Sequence, residues 1–152
     1  MLVIPLALVD ELLRQAVREG PREACGLLFG RSSGDHRNVA WIAELTNVAT
    51  APDAAFEMDP AGVLRREREG ARRGLRQVGC YHSHPATSPR PSRRDTEGAR
   101  QVLDDRGNRS YVIVGPQEHG VRTYVLRGGA LVPELLVISR ASLTLDSEAT
   151  CR

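Results

Sequence analysis

The stretch Arg76-Gln77-Val78-Gly79-Cys80-Tyr81-His82-Ser83-His84-Pro85 is an apolar run that closes on two histidines and a proline. Arg76 to Tyr81 reads as a strand, and the fold turns on whether that strand continues through His84. If it does, His82 and His84 point to one face, because side chains alternate with period two. Their Cα atoms then lie about 6.6 Å apart, at roughly 3.3 Å per residue. Ser83 points to the opposite face, which argues against a nucleophilic role for it. Pro85 ends the strand and leaves both imidazoles at its mouth, each able to reach one ion at about 2.0–2.1 Å.

Downstream, Pro85, Pro89 and Pro91 stiffen a loop that leads to a helix expected from about Arg93 to Leu103. Asp95, in its first turn, offers a carboxylate as a third ligand. Two histidines, one aspartate and a water make a catalytic zinc site with an open position. Such a site lowers the pKa of its water and needs a proton acceptor. Glu23, at the start of another strand, is the candidate. Each piece also has an ordinary reading. A His-x-His pair alone is weak evidence, Ser92 and Asp95 match a capping box that needs no function, and Glu23 alone passes as a solvated charge. Their joint spacing favours the metal site. His36 and His119 sit in polar turns and read as surface histidines.

Upstream, Val9, Leu12, Leu13, Ala16 and Val17 mark one apolar helix face, with Pro5 before it and Gly20 after it. Ala24 to Gly30 reads as a buried strand. The turn Ser32 to Asp35 leads into a second strand, from about Val39 to Val48. Asp59 suits an N-cap and Pro60 the first position of an arginine-rich helix to about Arg73. Tyr111 to Val114, Val121 to Leu126 and Leu135 to Ile138 complete the strands, and residues 141–152 read as a polar tail. Elements alternate without a strict βαβ rhythm, and several strands look hairpin-linked, so the class is a mixed α/β arrangement in one domain.

Composition narrows the partners. The 152 residues suit one domain, and the net charge of +2 shows no concentrated basic face of the kind nucleic acid requires. The 21 basic residues are all arginine. The apolar N-terminus lacks a positive leader and a cleavage site, and no stretch approaches the ~20 apolar residues of a membrane span. Cys25, Cys80 and Cys151 make no disulfide framework; Cys25 and Cys80 read as buried free thiols. The expectation is a cytoplasmic protein that meets neither membrane nor nucleic acid.

Together, Glu23, His82-Ser83-His84, then seven residues, Ser92, two residues and Asp95 resemble the signature of the JAMM (MPN-plus) metallopeptidases. The surroundings agree: Glu23-Ala24-Cys25-Gly26 with Leu27 to Gly30, then Phe56 to Pro60, Val78 to Tyr81 and Tyr111 to Val114. The likeness spans roughly residues 3–138. It implies a cytidine-deaminase-like fold, a curved mixed sheet flanked by helices over residues 1–140. It implies one zinc per chain on His82, His84 and Asp95. By the same likeness Glu23 takes a proton from a zinc-activated water and passes it to the leaving amine, and Ser92 holds the oxyanion, a role worth ~2.7–4 kcal/mol in comparable sites. The chain is short between Leu103 and Tyr111 and between Thr50 and Ala55, which resembles the small stand-alone bacterial and archaeal members. Those release the Gly-Gly ends of ubiquitin-like or sulfur-carrier proteins. The alternatives are a non-catalytic MPN scaffold and a zinc hydrolase of another small amide.

Overall fold

The computed structural model describes residues 1–103 and 106–140; the polar tail and Cys151 lie outside the described residues. In chain order the elements are β1 (Leu2–Pro5), α1 (Leu6–Glu19), β2 (Cys25–Ser33), β3 (His36–Leu45), α2 (Pro60–Arg72), β4 (Arg76–Ser83), α3 (Arg93–Val102), β5 (Arg106–Gly115), β6 (Gly120–Arg127), β7 (Ala130–Pro133) and β8 (Leu136–Ser139). The eight strands form one sheet in the order β7-β6-β5-β4-β2-β3-β1-β8. Its pairings are mixed: β4 runs parallel to β5 and antiparallel to β2, and β1 is parallel to both β3 and β8.

Alternation along the central strands sorts the core into two layers. On one face Leu28, Val39, Val78, Tyr81, Val112 and Val114 pack against Val9, Leu12 and Ala16 of α1. On the other, Leu27, Cys80, Tyr111 and Ile113 meet Ala99 and Leu103 beside α3. Burying each large side chain stabilises the fold by about 1.5–3 kcal/mol. Val78 is skipped at a register shift against β2 and joins Tyr81 on the α1 face; from there Cys80 and His82 share the α2–α3 face and Tyr81 and Ser83 the α1 face, so period two holds up to the histidines.

Two glycines permit close approach. A Cβ on Gly70 of α2 would stand 2.5 Å from the Phe29 ring, and one on Gly26 would stand 2.4 Å from the Tyr81 hydroxyl. The helix starts follow their caps. The Asp59 carboxylate accepts from the N–H groups of Ala61 and Gly62 at 3.3 and 2.9 Å, with Pro60 in the first turn. The β2–β3 turn is only Gly34-Asp35, because Ser32 and Ser33 continue the ladder opposite Arg37 and His36.

Several expectations need adjustment. β1 and β7 have four residues each, too few for a periodic signal. Val17, expected on the buried face of α1, is 68% exposed. β3 stops at Leu45 rather than Val48, and Asn47 makes an isolated bridge to Met58 instead. Cys25 and Cys80 are buried free thiols, as expected, and burial pushes each up to about 12.

Candidate metal centre

The β4 strand delivers both histidines to one point. The N–H of Ser83 donates to the Ala24 carbonyl at 2.9 Å and that of His84 to the Val114 carbonyl at 2.8 Å, so the chain stays pinned between β2 and β5 beyond the last formal strand residue. The Ser83 hydroxyl faces away from the histidines and accepts from the Ala24 N–H at 2.8 Å. Pro85 starts a loop that doubles back. At its far end Ser92 caps α3, accepting from the Asp95 N–H at 3.1 Å while the Asp95 carboxylate accepts from the Ser92 N–H at 2.6 Å. The capping box is therefore real, and it also aims Asp95 at the histidines.

His82, His84 and Asp95 form a buried group whose ligand atoms all lie within 4.8 Å of one another. Nε2 of His82 is 3.0 Å from Nε2 of His84 and 3.0 Å from Oδ1 of Asp95, and His84 Nε2 is 3.3 Å from Oδ2. Nδ1 of His84 lies 2.9 Å from the Ser88 carbonyl oxygen. A carbonyl can only accept, so Nδ1 carries a proton and Nε2 is the ring nitrogen that faces the cluster. Two ring nitrogens and a carboxylate this close need a proton or a cation among them, and this donor set fits a metal with an open coordination position.

His82 is held differently. It is fully buried, its Nδ1 has no hydrogen-bond partner among the described residues, and its ring is stacked on Phe56 at 4.5 Å and tilted against Tyr111 at 5.4 Å. Aromatic packing orients this ring where a hydrogen bond orients its neighbour. Burial lowers the His82 pKa against the pull of Asp95. For His84, burial also lowers the value, but the Asp95 and Ser88 hydrogen bonds outweigh it and the net shift is upward. Burial would raise Asp95; hydrogen bonds from His82, His84 and Ser92 hold it well below the usual carboxylate range instead. Asp95 is thereby kept ionised, as a carboxylate ligand to a cation must be.

Glu23 arrives from β2. Cys25 pairs with His82, and continuing that antiparallel register places Glu23 across from His84. Glu23 is 9% exposed, and burial raises its carboxyl to about 7, with the charge of Asp95 adding and those of His84 and Arg94 opposing. Glu23, Ser92 and Asp95 all line one cavity of about 600 Å³ between α2 and α3, walled by apolar groups such as Leu27, Met58 and Val63. All five residues expected from the sequence thus converge on one place. The expected surface histidines do lie apart: His36 is exposed, and His119 sits beyond β5. Missed as parts of the site were the Ser88 carbonyl, Tyr111 and Asn47. A backbone acceptor leaves no side-chain signal, and the other two act through tertiary contacts.

Comparison with known proteins places the chain in a family. The model of a family described as prokaryotic homologs of the JAB domain matches residues 5–127. The chain is 35% identical over 129 residues to a probable TtuB-protein conjugate cleaving protease of Thermus thermophilus, covering 85% of this chain and 78% of that one. It is 32% identical over 139 residues to a CysO-cysteine peptidase of Mycobacterium tuberculosis, covering 88% of each. A solution structure of a protein from Desulfitobacterium hafniense superposes with a TM-score of 0.80 at 31% identity, over 93% of this chain and 94% of that one. The chain therefore belongs to the family of prokaryotic homologs of the JAB domain, as a small JAMM (MPN-plus) enzyme of isopeptidase type.

Proposed function

We propose that the chain is a zinc peptidase that hydrolyses the bond after the C-terminal Gly-Gly of a ubiquitin-like or sulfur-carrier protein. One observation carries the reading: the three buried donors of His82, His84 and Asp95 lie within 4.8 Å of one another, and Asp95 shares a cavity with Glu23 and Ser92. His82, His84 and Asp95 are the residues that would hold the ion. When bound, zinc supplies a Lewis acid that lowers the pKa of water toward ~7 and polarises a carbonyl.

The remaining work falls to the chain's own side chains. Glu23, with a carboxyl near pH 7, is matched to accept a proton from the attacking water and return it to the leaving amine as the C–N bond breaks. The Ser92 oxygen accepts from the Asp95 N–H, which leaves its own O–H free to donate to the oxyanion. Phe56 over His82 and the Ser88 carbonyl on His84 keep the rings oriented and limit water in the site. Relatives named for cleaving TtuB conjugates and for CysO-cysteine support a small protein modifier as the acyl partner. No helix among the described residues is long and apolar enough to cross a membrane, and we take the enzyme to act in the cytoplasm, on protein and not on nucleic acid or membrane. We take residues 1–140 as one catalytic domain.

The test is a fusion extended beyond the Gly-Gly end of a sulfur-carrier protein. The purified protein should carry one zinc per chain and release the extension, and a chelator should stop it. Glu23→Gln should keep the zinc and lose hydrolysis. Cleavage of small amides alone would remove the modifier from the reading, and an active Glu23→Gln protein would remove Glu23 from the mechanism.

A further inference from the structure

The Asn47 side chain is 7% exposed and makes five hydrogen bonds, all to backbone. Its Nδ2 donates its two hydrogens to the carbonyls of Glu23 and Ala55, each at 2.9 Å, one of them shared with the Pro52 carbonyl at 3.3 Å. Its Oδ1 accepts from the N–H groups of Ala49 at 3.0 Å and Glu57 at 3.1 Å. The neighbourhood closes on the same point: the Glu23 N–H donates to Pro52 at 2.6 Å, the Val48 N–H to Glu57 at 2.8 Å, and the Arg22 guanidinium to the Asn47 carbonyl at 2.9 Å. One amide thus ties Glu23, two residues before β2, to both ends of the segment between β3 and α2.

Two of the tethered positions bear on the metal centre. Glu23 is the candidate base, and Phe56, between tethered Ala55 and Glu57, stacks on His82. Glu23 precedes the first residue of β2, so the sheet ladder alone does not hold its backbone carbonyl. An asparagine is suited to this because its amide both donates twice and accepts twice; a carboxylate only accepts, and a hydroxyl has a single hydrogen.

We infer that Asn47 is a positioning residue for the reaction: it holds the Glu23 carboxyl at its working place and seats Phe56 on His82. The inference rests on the assignment of Glu23 as the base. None of the five Asn47 side-chain hydrogen bonds goes to His82, His84 or Asp95, so its loss leaves the ion in place and moves the base. A misplacement of about 1 Å can cost on the order of 100-fold in rate.

The experiment is a double-mutant cycle on the zinc-loaded enzyme, following release from the Gly-Gly fusion. Asn47→Ala should keep one zinc per chain, lower kcat on the order of 100-fold and leave KM within about threefold. In a Glu23→Asp background, where the carboxylate is already displaced, the same substitution should lower kcat much less. Asn47→Asp, which keeps the acceptor bonds to Ala49 and Glu57, guards against a fold too weak to assay and should show the same loss and the same non-additivity. Multiplicative losses in the two backgrounds, loss of zinc with Asn47, or unchanged kcat would overturn the proposal. An inactive parent enzyme would instead sink the assignment of the reaction, so the two failures are distinguishable.

Discussion

Glu23 is a carboxyl kept in poor contact with water by the fold, and this has a measurable consequence in the metal-free protein. Its folded value of about 7 lies above its ordinary 4.5, so the folded state binds more protons than the unfolded one between those values. Stability from the protonated form is complete below about 4.5 and is lost as pH rises through about 7. His82, His84 and Asp95 titrate too, but they are common to parent and variant. In chelator, the stability of the parent relative to Glu23→Gln should therefore fall from about pH 4.5 to 7 and level off above that, by denaturant unfolding at several pH values. A difference that stays flat with pH would mean that Glu23 is solvated. The ordinary reading of Glu23 from the sequence, a solvated charge at a strand edge, is excluded by burial that no local pattern announces.

At the scale of the element, the cap that Ser92 forms on α3 is separable from the oxyanion role proposed for it. Ser92 caps the helix, and losing such a cap costs about 1 kcal/mol. Gly98 sits within the same helix, faces the cavity, and a Cβ there meets nothing within 4 Å. Gly98→Ala should then stabilise by up to about 1 kcal/mol through helix propensity alone. Ser92→Ala with Gly98→Ala should unfold at nearly the parent temperature yet remain slower than the parent by about 10²–10³ in kcat, the cost of a missing oxyanion donor. Recovery of activity together with stability would reduce Ser92 to a cap. The capping box was legible from the Ser92–Asp95 spacing. That the same box points Asp95 at two histidines depends on how the Pro85–Pro91 loop folds back, and spacing carries no direction.

Across the whole molecule, the strands away from the site are joined through a buried charge. Arg37, 5% exposed, donates to the Ser110 hydroxyl at 2.9 Å, to the Gly107 carbonyl at 3.0 Å and to the Glu134 carboxylate, which also accepts from Thr123 at 2.8 Å. The guanidinium thus connects β3 with β5 and with Glu134, between β7 and β8, and Glu134 in turn holds β6 through Thr123. Removing one partner leaves the other charge buried, at a cost of about 3–5 kcal/mol. Arg37→Leu and Glu134→Leu should each destabilise by that order in urea unfolding, and the double variant should be much less destabilised than their sum. Strict additivity would show that the two do not act as a pair. Nothing in the sequence marks these residues, which lie far apart in the chain and carry the commonest of surface side chains.

The sequence by itself determined whatever depends on neighbours along the chain. Period two put His82 and His84 on one face and turned Ser83 away; cap residues placed the starts of α2 and α3; and the apolar stripe of Val9, Leu12 and Ala16 marked the inner side of α1, with Val17 misread at its edge. Only the tertiary structure decided which segments meet. The β2–β4 register brings Glu23 opposite His84, the Asn47 amide ties Glu23 to a loop from another part of the chain, and α2 and α3 leave a cavity between them. The reason is physical. Helix and strand periods are set by local backbone geometry, whereas strand pairing, burial and the protonation of Glu23 follow from contacts between residues far apart in sequence, and no local pattern encodes those contacts.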